Sequence, residues 1–170
     1  MRRLSVLAVS LFLVVGASAQ KLKEGDLSFL KGENKLHVVF DYSDLKIEGK
    51  KETVFLEKKG DKWATDWNNA KSEFFEKFTK NANMVLIDKD LDLRIGNFPD
   101  AKYQITIKVL TLDDDWDMTT EVYFAKDSKI LAVVDLKGSA GKFGSPTNLT
   151  GDAMKDAGTR FGKFISKKIK

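Results

Sequence analysis

The acidic stretch Asp113-Asp114-Asp115-Trp116-Asp117 is the sharpest candidate for chemistry in this 170-residue chain. Asp113, Asp115 and Asp117 have the alternate spacing on which a calcium loop places its first three oxygen ligands. The rest of the loop departs from that pattern: Met118 stands where the turn needs Gly, and Phe124 where a bidentate Glu is needed. Glu121 is near enough to join a site built on a hairpin tip instead. These four residues are the metal candidates, but solvated loop carboxylates are the expectation and no metal site is assigned. No cofactor is assigned. Paired acids for glycoside hydrolysis need a controlled carboxyl separation, which nothing in the spacing supplies, so no catalytic residue is assigned.

His37 is the only histidine and lies inside an apolar run. A transition-metal site normally needs several N, S or carboxylate ligands, and a nucleophile elbow is missing. A structural histidine is expected. Gly138-Ser139-Ala140-Gly141-Lys142-Phe143-Gly144 invites comparison with a phosphate cradle. Phe143 follows Lys142 where a P-loop has Ser or Thr, and a flexible loop is the expectation. Arg160, Lys163, Lys167 and Lys170 make a basic outer stripe near the C-terminus. They are the partner-binding candidates, suited to an acidic protein or acidic headgroups.

These residues need elements to position them. Leu36 to Asp41 reads as an interior strand, after a polar, irregular lead-in over residues 20–35. A first helical piece near Val54-Phe55-Leu56 is interrupted by Gly60, and a stronger helix follows over residues 61–80. Trp63, Trp67, Ala70, Phe74 and Phe78 recur every three or four residues there, a stripe expected to pack on a sheet. Met84-Val85-Leu86-Ile87 and the alternating residues 88–95 predict a strand with one wet side. Tyr103–Leu112, Met118–Ala125 and Ile130–Leu136 predict an antiparallel meander on short turns. A last helix is expected over residues 150–168, with Thr150 as N-cap and Asp152 in its first turn. Gly158 and Gly162 are expected to let that helix approach the sheet. The fold class is a single α+β domain over residues 36–170, a mostly antiparallel mixed sheet with two amphipathic helices in the order β-α-β-β-β-β-α.

Residues 1–19 read as a cleavable export signal: Arg2 and Arg3, an apolar run from Leu4 to Val15, then the small residues Ala17-Ser18-Ala19. The run falls short of the roughly 20 residues of a membrane span, so no transmembrane anchor is expected in the mature chain. Taking 19 residues from 170 leaves 151 for one domain, and removing two arginines from 29 basic against 25 acidic residues leaves +2. That balance argues against a nucleic-acid partner. The chain has no cysteine, which excludes disulfides, thiol catalysis and a lipid-modified N-terminal cysteine. The expected location is periplasmic or extracellular, soluble and unlipidated.

The first apolar strand ending in Asp41, Asp100-Ala101-Lys102-Tyr103 opening the meander, the strand-to-glycine loop Ile130–Gly144 and the closing glycine-containing helix resemble small bacterial envelope domains. These include the N-terminal domain of TolB and related outer-membrane lipoprotein domains. The resemblance implies a non-catalytic role, contacting another protein or an envelope component. The missing lipobox cysteine sets this chain apart from lipid-anchored members. Two alternatives stand beside that expectation: an envelope hydrolase or calcium-assisted binder using Asp113–Asp117, and a carrier of a small apolar ligand.

Overall fold

Strict alternation of apolar and polar residues builds the centre of the fold. Along β7 (Met118–Lys126), Met118, Thr120, Val122 and Phe124 are buried while the residues between them are only partly covered. The neighbouring β6 (Gln104–Leu112) buries Ile105, Ile107, Val109 and Leu112 on the same side. With β8 (Lys129–Gly138) these strands form the expected antiparallel meander. The computed structural model describes residues 20–169. The export signal read in residues 1–19 and the candidate Lys170 lie outside the described residues.

Among the described residues eight strands form one mixed sheet and three α-helices accompany it, giving a single α+β domain. The strand order is β1-β8-β7-β6-β2-β5, where β1 is Gln20–Gly25, β2 is Lys35–Asp41 and β5 is Arg94–Gly96. The short strands β3 (Lys46–Ile47) and β4 (Lys50–Lys51) form a hairpin joined to β6. Strand β2 lies parallel to both β6 and β5. The long return this requires contains α1 (Glu52–Lys59) and α2 (Asp61–Asp88), separated at Gly60. Gly60 has a φ of 91°, the left-handed region that glycine enters without a side-chain clash.

The helices cover the apolar face of the sheet. Phe78 of α2 packs edge-on to Phe40 of β2, and Phe161 of α3 (Pro146–Ile169) stacks on Phe124 of β7. Higher on α2, Trp67 is fully buried between Trp63 and Phe74. The aromatic stripe thus fills the core, the term that dominates stability in a domain without disulfides.

Four local expectations need correction. Residues 20–25 are a strand, not an irregular lead-in, because Gln20 to Gly25 pair with Leu136 to Ala132 across the sheet. Met84-Val85-Leu86-Ile87 belongs to α2, which continues to Asp88. Of the four, Leu86 is the one buried, and it extends the series Phe78, Ala82, Leu86 at a spacing of four. The strand that follows is confined to Arg94–Gly96, since Asp90 takes a φ of 54° and turns the chain. Finally, α3 begins at Pro146, so Thr150 is not its cap: the Ser145 hydroxyl accepts the Asn148 N–H at 3.3 Å, and Thr150 is buried inside the helix. Serine followed by proline was the signal for that start.

Candidate partner-binding surface

The acidic loop is organised by its own hydrogen bonds. Asp113 Oδ1 accepts the backbone N–H groups of Asp115 at 3.1 Å and Asp117 at 2.9 Å. Asp117 Oδ1 accepts the N–H of Ala140 at 2.8 Å, tying the loop to the glycine segment. Trp116 turns inward and is buried, with a φ of 65°. Glu121 lies away on the sheet, where it accepts from Lys23 and from the Tyr123 hydroxyl, each at 2.5 Å. These bonds hold its carboxyl below the usual range, the Lys23 contribution being the larger. Three of the four candidate carboxylates, those of Asp113, Asp117 and Glu121, therefore serve separate structural roles, and Asp115 takes part through its backbone N–H. Among the described residues no group of three or more potential ligands is placed to hold a metal ion.

His37 sits half-buried on β2, its backbone N–H donating to the Tyr103 carbonyl at 3.1 Å. Its Nδ1 is buried and has no hydrogen-bond partner among the described residues. The other such atom is the hydroxyl of Tyr42, whose pKa is pushed well up by burial and then by the nearby Glu52 carboxylate.

The glycine segment is pinned at its root and open at its tip. Ser139 N–H donates to Asp156 Oδ2 at 2.8 Å, and the same oxygen accepts from Arg160 Nε at 2.6 Å. With the Asp117–Ala140 bond, two carboxylates from different elements fix adjacent amides. A side chain at Gly138 would strike the Ala153 carbonyl, so the segment lies directly against α3. Beyond that root, Phe143 is 91% exposed. Its exposure forgoes about 1.5–3 kcal/mol, the worth of burying such a side chain.

Around the loop the surface is hollowed. Ser139, Gly141, Asp156 and Arg160 line one depression with Asp152 and Lys155. Asp152 and Lys155 also border a larger groove of about 990 Å³ between α2 and α3, where Met84 is half exposed. The two depressions are thus one continuous surface along the outward side of α3.

The basic stripe divides along this helix. Arg160 is partly covered and paired with Asp156. Lys163 and Lys167 are exposed and border a smaller depression with Phe164, Lys168 and Gln20 at the start of β1. The two lysines keep the outward direction expected of them, while Arg160 also serves the loop. Phe143 was not among the candidates; its signal was an aromatic between Lys142 and Gly144 in an otherwise small and polar segment.

No protein-family model matches the chain, and no curated protein matches it. Among solved structures it is similar to the PelC dodecamer from Paraburkholderia phytofirmans, with 9% identity, a TM-score of 0.39, and 83% of this chain and 96% of that chain covered. A single-substitution variant of the PelC dodecamer from the same organism gives 8% identity and a TM-score of 0.40, covering 84% and 96%. Both share too little to define a family for this chain. Among the described residues no helix is long and apolar enough to cross a membrane.

Proposed function

We propose that this chain is an exported, non-catalytic binding domain of the bacterial envelope, and that it meets a protein partner through the glycine segment and the outward side of α3. The observation that carries this reading is Phe143, 91% exposed on a loop whose root is fixed by Asp117 and Asp156. Interfaces concentrate their binding energy in a few aromatic and arginine residues set in a polar rim. Phe143 supplies the anchor and Lys155, beside the loop root, a rim charge suited to acidic groups, with Lys163 and Lys167 further along α3. A preformed loop also lowers the ordering cost of association. The resemblance to envelope interaction domains leads to the same role, and the signal-like residues 1–19 supply the route to that compartment.

A photo-crosslinking amino acid at position 143, introduced in cells that export the chain, tests this directly. A discrete crosslinked protein, lost on competition with untagged wild type and retained when the probe is moved one residue to Lys142, is the expected result. Recovery of uncrosslinked monomer alone, over several growth conditions, would overturn it.

A further inference from the structure

Two pairs of like charges oppose each other on the side of the sheet turned away from α2 and α3. Glu121 of β7 and Asp135 of β8 are direct cross-strand neighbours, and Lys23 resolves their repulsion by reaching both, at 2.5 and 3.4 Å. Lys46 and Lys51 are direct neighbours in the β3–β4 hairpin. Side chains so placed share one face with Cβ atoms about 5 Å apart, and like charges there cost stability. Among the described residues no carboxylate lies within ion-pair distance of either lysine, and both are exposed. Asp44, beside them, is already engaged by Lys108. The backbone cannot separate the pair, because Glu48 and Gly49, with φ of 49° and 74°, close a tight two-residue turn.

The lysines border a hollow of about 370 Å³ that also takes in Ser43, Leu110, Thr111 and Asp44, whose charge Lys108 offsets. Two irregularities of the sheet create it. Strand β2 leaves β6 after the Asp41–Lys108 pair and the chain rejoins β6 at Lys46–Thr111, so residues 42–45 arch away between them. Opposite the arch, β6 shifts register against β7 between Val109 and Thr111, which leaves Leu110 as the extra residue. Bulges of this kind redirect side chains and concentrate beside functional sites.

We propose that this hollow binds a small anion, its carboxylate or phosphate group held between the ammonium groups of Lys46 and Lys51. The size falls at the lower end of small-molecule pockets, about 300–1,000 Å³. In the one like-charge pair the chain supplies the counter-ion as Lys23; in the other the ligand supplies it. The site faces away from α3 and is independent of the partner surface proposed above.

The test is an amide NMR titration of the mature chain with sodium phosphate and, separately, sodium glucuronate at constant ionic strength. Saturable shifts at Ser43, Lys46, Lys51, Leu110 and Thr111 are expected with at least one of them, and the stronger response identifies the anionic group. Lys46→Gln and Lys51→Gln should each weaken binding at least fivefold, whereas Lys50→Gln, pointing to the other face of its strand, should not. In anion-free buffer the first two variants should raise the Tm by relieving the repulsion. Shifts that never saturate with either anion, shifts spread evenly over the surface lysines, equal loss in Lys50→Gln, or a fall in Tm would each overturn the assignment. Binding of the anion by a Phe143→Ser variant keeps this result separate from the fate of the partner surface.

Discussion

The side chain of Asn83 pairs with the backbone of Ile95 as a neighbouring strand would. Its Nδ2 donates to the Ile95 carbonyl and its Oδ1 accepts the Ile95 N–H, both at 2.8 Å. On the other side of β5 the backbone bonds go to β2 and to Asn34, whose carbonyl accepts from Arg94 at 2.8 Å. One amide on α2 thus closes a sheet edge that would otherwise leave two polar groups of a buried residue unpaired. It also ties helix and sheet together at the end of the long β2-to-β5 connection.

Replacing Asn83 with Ala should cost about 1–3 kcal/mol, the range for leaving buried polar groups unsatisfied. At roughly 2–4 °C per kcal/mol for a domain of this size, the Tm falls visibly. Amide exchange at Ile95 should accelerate more than at Ile107 in the sheet centre. Equal acceleration at both would show general loosening and contradict the edge-closing role.

Gly158 tests how closely α2 and α3 approach. A Cβ there would fall well inside contact distance of the Phe78 carbonyl, and one at Gly162 would lie 2.7 Å from the Ala82 carbonyl. The partners advance together, so the helices run side by side in the same direction. Helix propensity alone would make Gly158→Ala stabilising by about 1 kcal/mol. Overpacking costs about 1–3 kcal/mol and should win, so the Tm falls. A rise in Tm would mean that the two backbones do not touch.

Glu52 joins three elements of the core rim. Its Oε1 accepts from the buried indole Nε1 of Trp67 at 2.6 Å and lies 2.8 Å from Lys71 Nζ. Lys71 in turn sits over the ring of Tyr42. Glu52→Ala should destabilise by about 1.5–3 kcal/mol, the range for hydrogen bonds to charged groups, with a red-shifted tryptophan emission. Glu52→Gln keeps the indole acceptor and should lose less. Equal losses would place the whole effect on the Lys71 charge.

Stability should fall at both pH extremes, for opposite reasons. Asp26, Asp41, Asp100 and Glu121 are held below their ordinary values, chiefly by hydrogen bonds from Ser28, Ser43, Lys35 and Lys23 respectively. Their contribution is complete above the unfolded carboxyl range near pH 4 and is lost as pH falls through the lower folded values. Lys23, Lys102 and Lys108 are held above theirs, chiefly by Glu121, Glu33 and Asp44. Their contribution is complete below about pH 10 and disappears as pH rises through the higher folded values. Thermal melts from pH 2 to 11 should show a plateau with a decline at each end. In Lys23→Ala the Glu121 carboxyl, followed by NMR, should titrate at higher pH; an unchanged titration would contradict the assigned cause.

Features set by neighbours along the chain were legible in the sequence. The alternation from Tyr103 to Leu136 specified the meander, the three-to-four spacing specified α3, and Gly60 marked the break between α1 and α2, because each depends on periods of two or 3.6 residues and on local backbone freedom. The basic outer stripe followed from the same periodicity, and Lys163 and Lys167 are exposed where it placed them. Tertiary structure decided whatever required a distant partner. Gln20–Gly25 carries no strand pattern of its own and becomes one by pairing with β8, more than a hundred residues away. Met84–Ile87 is as apolar as a strand, yet Leu86 reaches the core by extending α2. Gly158 and Gly162 admit a helix rather than the sheet, and Phe143 is exposed beyond a loop root that Asp117 and Asp156 hold. The physical reason is that a short segment's own preferences are worth a few tenths to about 1 kcal/mol per residue, and a distant partner outweighs them, by burial at Leu86 and by cross-strand pairing at Gln20–Gly25.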